Sequence, residues 1–151
     1  MRRLGLLEWA VSGLMLALVV VVFSQVALRY LTYQPLAWTE EVARYAFIWL
    51  SLLGAAVGGR RGVHFAVDLL PRRLPPRAGR VLRAGIRLIE AGFYALLAWS
   101  GVRIVQVAHL QRSASIDLPM SIAYAAIPFA ALLLCIFSLR HGVEELRAAR
   151  R

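Results

Sequence analysis

Few residues in this 151-residue chain are equipped for chemistry: eight carboxylates, three histidines, one cysteine and eighteen basic side chains, every one of them arginine. Glu40 and Glu41 are the only adjacent acids in its first half, and Arg44 stands four and three residues beyond them. Paired carboxylates suggest acid–base catalysis, but neighbours in sequence point about 100° apart on a helix and do not converge on one proton. The same spacing lets Arg44 pair with either acid, so Glu40, Glu41 and Arg44 are expected to form a polar cluster at a helix start capped by Thr39. His64 and Asp68 are four apart and share one side of any helix there. They supply half of a metal or proton site, with no further ligand nearby; the commoner role of such a pair is a structural hydrogen bond. Glu90 has Arg87 three residues before it as a local partner.

Several chemistries lack their residues. Without lysine, a Walker-type phosphate loop cannot be completed. A lone Cys135 supplies neither a disulfide framework nor a thiolate metal cluster. No nucleophile–base constellation stands out, so the chain does not read as an enzyme. It is expected to hold no metal and no cofactor.

The surrounding elements are membrane spans. Apolar residues make up 60% of the chain and charged ones 17%, against roughly 45–50% and about 25% in soluble domains. Runs near the roughly 20 residues that cross a bilayer cover about 9–28, 39–58, 86–107 and 122–139. The predicted fold is all-α, a single membrane domain over 1–151 with four transmembrane helices. The histidines, His64, His109 and His141, fall at or beyond the span ends, where they cannot face one another across a haem. With the N-terminus inside, only Arg29, Arg44, Arg103 and Arg112 of the eighteen arginines lie outside, which predicts both termini in the cytoplasm. The first apolar run is too long for an ordinary signal peptide and is expected to be retained.

The net charge of +10 sits between apolar runs, which suits anionic lipid rather than nucleic acid. From Arg77, the residues Arg80, Arg83 and Arg87 share one helical face, and Val81, Leu88 and Ile89 another. This predicts a short amphipathic cytoplasmic helix before the third span, its arginines in the headgroup layer. Trp38 is placed for the outer interface. Asp117-Leu118-Pro119 reads as a helix start, and Pro128 is expected to kink the fourth span.

Three blocks in order resemble the small, four-helix membrane subunit of tripartite ATP-independent periplasmic (TRAP) transporters. The first holds Trp38, Glu40, Glu41, Arg44, Trp49, Leu53 and Gly54; the second runs from Arg61-Gly-Val-His64 through Val67-Asp68-Leu69-Leu70 to Leu74-Pro75; the third is Leu118-Pro119-Met120, Tyr124 and Ile127-Pro128. The resemblance covers nearly the whole chain. It implies a multi-pass protein of the bacterial inner membrane, paired with a large permease subunit that carries the substrate and ion sites. It also implies a periplasmic binding protein that delivers the solute, often a carboxylate, for import driven by an ion gradient, usually sodium. On that reading Trp38, Glu40, Glu41, Arg44, Trp49, Gly54, His64 and Asp68 contact or position the partners. Two other readings stand beside it: a self-sufficient homodimeric antiporter exchanging through Glu90, and a membrane anchor for an enzyme.

Overall fold

The computed structural model describes residues 5–32, 37–60 and 75–149. Five helices follow in order: α1 (Leu6–Thr32), α2 (Ala37–Arg60), α3 (Pro76–Ala108), α4 (Ser121–Tyr124) and α5 (Ala126–Ala149). Among the described residues there is no strand, only an isolated bridge between Arg112 and Pro119. Four helical stretches are long and apolar enough to cross a membrane: Leu6–Leu31, Ala37–Arg60, Ala78–Ala108 and Ser121–Ala149. The all-α, four-span architecture expected from the sequence is therefore present, with helices that overrun the apolar runs.

Local chemistry explains the element ends. At the start of α1 the Gly5 N–H donates to the Glu8 carboxylate at 2.7 Å, the third helical residue reaching back over an unpaired donor. α2 begins two residues ahead of Thr39, so that threonine is a buried member of the first turn and not the cap the sequence suggested. The amphipathic lead-in is not a separate helix. It forms the first turns of the 33-residue α3, which contains no proline beyond its first residue to interrupt it. At 1.5 Å per residue α3 is about 50 Å long, well over the ~30 Å hydrocarbon layer.

The fourth span is interrupted at Ala125, which keeps helical dihedrals (φ −59°, ψ −22°). α4 stops at Tyr124 and α5 resumes at Ala126. Pro128 is the cause: it has no N–H for the Tyr124 carbonyl, and its ring crowds that oxygen. Pro119 lies two residues before α4, where its carbonyl accepts the Ile122 N–H at 3.2 Å.

Packing divides the chain into two compact units, Met1–Gly54 with Val102–Ala126, and Ala55–Gly101 with Ile127–Arg151. The first unit buries Leu53, Ala108, Ala123 and Ala126 together with polar Thr39, Glu41 and Ser113. Within it, the most apolar stretch of α1 is not buried at all, and Leu16, Val20 and Phe23 are more than half exposed. The second unit buries Ala56, Ala84, Ala91, Ala130 and Ala131. Its helices meet over small residues: a Cβ on Gly142 would come within 3.3 Å of the Arg87 Cβ, and one on Gly101 within 3.0 Å of the Pro128 ring. Close approach through alanine and glycine is the packing mode of helices in lipid, where larger apolar side chains can face outward.

Candidate functional site

The polar end of the first unit is organised by a loop that includes Asp117-Leu118-Pro119, the stretch read as a helix start, whereas α4 begins only at Ser121. Between α3 and α4 the chain doubles back, with the Met120 N–H donating to the Gln111 carbonyl and the Ser113 N–H to the Leu118 carbonyl, both at 2.9 Å. Asp117 takes a left-handed conformation (φ 52°), which aspartate tolerates better than most residues. The exposed Arg112 guanidinium ties this corner down, donating to the Asp117 carbonyl at 3.0 Å and its carboxylate at 3.1 Å.

The loop tip turns two successive backbone N–H groups onto one acceptor. Ser115 and Ile116 donate to the same Glu41 carboxylate oxygen at 3.1 and 3.2 Å. Glu41 is only 9% exposed, so these bonds replace water that it has given up. Successive N–H groups in a turn form a concavity that favours an anion, and here the anion is a side chain of α2. The hydroxyl of buried Ser113 lies beside the same carboxylate without a partner in hydrogen-bonding geometry.

This arrangement corrects the expected cluster. Glu40 and Arg44 are exposed, and among the described residues neither forms an ion pair. Glu41 turns to the loop because two backbone donors satisfy a buried carboxylate where an exposed arginine would remain in water. The two acids diverge as their helical spacing requires.

Trp49, two turns further along α2, donates its indole N–H to the Ile122 carbonyl at 3.0 Å. An uninterrupted helix would offer that carbonyl to residue 126, but the break after Tyr124 removes this partner. Trp49 thus supplies a donor to a carbonyl at the interruption between α4 and α5, a contact that neither spacing nor composition discloses. Trp38 is half exposed. Gly54 has open space where a Cβ would project, so packing within the chain does not account for it. An apolar groove of about 370 Å³, lined by Arg103, Ile104, Val107, Ala108, Gln111 and Tyr124, opens in the same unit. His64 and Asp68 lie outside the described residues.

In the second unit Arg87 and Glu90 form the predicted ion pair at 3.0 Å, and the Ser138 hydroxyl donates to the same carboxylate oxygen at 3.4 Å. The arginine face of the lead-in points opposite to expectation. Arg83 pairs with Glu145 at 3.1 Å, and Arg80 donates to the Ala148 carbonyl in the last turn of α5. Val81, Leu88 and Ile89 are instead the exposed side. Periodicity separated the two faces correctly but could not say which one meets protein. The Cys135 thiol donates to the Ala91 carbonyl at 3.4 Å. Among the described residues no three His, Cys, Asp or Glu side chains gather as a metal site.

Comparison with known proteins adds the family. Residues 18–148 match the family described as "Tripartite ATP-independent periplasmic transporters, DctQ component". The C4-dicarboxylate TRAP transporter small permease protein DctQ of Rhodobacter capsulatus is 33% identical over 103 residues, covering 66% of this chain and 45% of that protein. The isethionate TRAP transporter permease protein DctMQ of Oleidesulfovibrio alaskensis is 26% identical over 162 residues, which is 96% of this chain and 25% of that protein. The sialic acid TRAP transporter permease protein SiaT of Haemophilus influenzae is 26% identical over 127 residues, 84% of this chain and 21% of that protein. The chain therefore spans less than half the length of each of these relatives.

Proposed function

Because this chain belongs to the DctQ component family of tripartite ATP-independent periplasmic transporters, a family of transporter components rather than enzymes, we propose that it is the small membrane subunit of such a transporter, bracing a larger permease subunit in the bacterial inner membrane. Two relatives named as permease proteins support that partner. This chain aligns with about a quarter or less of each, so in them the part resembling it is continuous with a much longer polypeptide.

One structural observation carries the reading most directly: apolar surface faces outward while the buried charged groups, Glu41 and Arg87, are paired inside. Large apolar residues of α1 lie exposed along its length, and the intramembrane acid Glu90 is already held by Arg87 and Ser138. Such a chain offers packing surface for lipid and another membrane protein. The substrate and ion sites then belong to the larger subunit. The solute is a small organic acid and the driving force an ion gradient, most simply sodium. Both termini lie in the cytoplasm, which places the Glu41-held loop and the adjoining groove at the periplasmic face, where the solute-binding protein arrives. Glu41 positions that loop, and exposed Trp38, Glu40 and Arg44 present the contact surface beside it. His64 and Asp68 fasten the cytoplasmic turn to the larger subunit.

Co-expression with the large permease subunit of the same transporter tests the partnership. The two chains should purify together in fixed ratio through one affinity tag and size exclusion. Separate elution of two well-folded proteins would refute it. Glu40→Ala with Arg44→Ala should leave that pairing intact and weaken binding of the solute-binding protein several-fold; unchanged binding would remove both from the docking surface.

A further inference from the structure

We propose that the second unit carries a binding site for the phosphate group of an anionic phospholipid, formed by Arg60 at the end of α2 and Arg140 on α5, with His141 setting their spacing. The starting point is a polar cavity of about 220 Å³ lined by Arg60, Phe137, Arg140, His141 and Glu144. Its volume admits a phosphate and its ester oxygens. Arg60 is the last residue of α2, and Arg140 falls just past the apolar run of α5, so both guanidinium groups stand where a span reaches the headgroup layer.

These two arginines differ from the others of this unit that carry described side chains at the α3–α5 contact. Arg80, Arg83 and Arg87 all have protein acceptors. Arg60 and Arg140 are exposed, and among the described residues neither guanidinium has a hydrogen-bond acceptor or a carboxylate partner. The one acid of the cavity, Glu144, is engaged by His141, whose Nδ1 lies 3.5 Å from its carboxylate. The opposite ring nitrogen lies 3.2 Å from the Arg60 carbonyl oxygen, which ties the end of α2 to α5 and sets the spacing of the two arginines. Two fork-shaped donors remain for a ligand, and phosphate oxygens match that fork in geometry and charge.

A lipid rather than a free anion is favoured by what adjoins the cavity. Phe137 gives it an apolar wall, and Phe129, Leu132 and Ile136 form an exposed ridge on α5 at spacings of three and four residues, running away from the arginines. An acyl chain can lie along that ridge while its phosphate stays between the guanidinium groups. Basic pockets between spans on the cytoplasmic side are the sites that cardiolipin and related headgroups occupy, and the arginine distribution puts this end on that side.

Native mass spectrometry of the purified full chain, with any subunits that accompany it, tests the site. It would be run with phosphatidylglycerol, cardiolipin or phosphatidylcholine added, and with inorganic phosphate as the competing free anion. The expected result is retention of anionic lipid, but not phosphatidylcholine, by the wild type and by Arg147→Gln, which removes an equal charge from the same helix outside the cavity. Arg60→Gln and Arg140→Gln, each of which can fold because neither side chain has a protein partner, should lower retention at least fivefold. Equal retention by all three variants would overturn the proposal. Displacement of the lipid by millimolar phosphate in the wild type, lost in Arg60→Gln, would keep the phosphate site and overturn the lipid as its occupant.

Discussion

At the scale of single residues, Glu41 and Trp49 matter because each completes a bond that the backbone cannot close alone. Glu41→Ala strips the acceptor from the Ser115 and Ile116 amides and should cost about 1–3 kcal/mol of loop stability, the usual penalty for unpaired donors. Hydrogen exchange at those two amides should accelerate strongly, and Glu41→Gln, which retains one acceptor oxygen, should recover part of the protection. Wild-type exchange rates in Glu41→Ala would show that the contact does not order the loop. Trp49→Phe keeps the ring but loses the donor to the Ile122 carbonyl, so it should lower thermal stability in detergent by about 0.5–1.5 kcal/mol. Sequence reading reached Glu41 and Trp49 as important positions without reaching their partners, which lie more than seventy residues away. Spacing rules act within a turn or two of helix, and for that reason they found the Arg87–Glu90 pair and missed the loop tip. They also offered Arg44 as the partner of Glu41, since local geometry alone does not register that one acid is buried and the other exposed.

At the scale of elements, helix existence was legible and helix continuity was not. The apolar runs marked every span, two of them uncharged and two with charges only near their ends. Joining the lead-in to α3 required the absence of a breaker between Arg77 and Ile86, and choosing its buried face required knowing that the end of α5 packs there. Arg80 closes an orphan carbonyl in the last turn of α5, where positive charge also suits the helix dipole. Arg80→Met should therefore raise amide exchange across 146–149 while leaving 130–140 unaffected; equal protection in both proteins would show the contact to be idle. Pro128 was read correctly as a disturbance of the fourth span, and within the interruption Trp49 meets the Ile122 carbonyl. Pro128→Ala should join α4 and α5 into one helix and return the Ile122 carbonyl to its own helix. Trp49→Phe should then cost less in the Pro128→Ala background than in the wild type, a non-additivity of about 0.5–1.5 kcal/mol in a double-mutant cycle. Strict additivity would separate the indole bond from the helix break.

At the scale of the whole molecule, the distribution of burial points the same way as the family. Among the described residues the buried apolar side chains are alanine apart from Leu53, with no large side chain fully buried, while many large apolar residues face outward. A soluble protein could not sustain that inversion, whereas a chain threaded through lipid and packed on another membrane protein needs it. Composition alone disclosed the membrane setting, and ordered motifs disclosed the family; the surfaces proposed to meet partners involve other chains and left no spacing signal. The central claim is that this chain supports transport without performing it. Solute uptake into sealed proteoliposomes under an imposed sodium gradient, with the cognate binding protein outside, addresses it directly. Vesicles holding this chain alone should accumulate nothing above protein-free vesicles, and those holding it with the larger permease should accumulate solute as long as the gradient lasts. Sustained, gradient-dependent uptake by vesicles that contain only this chain would contradict the account.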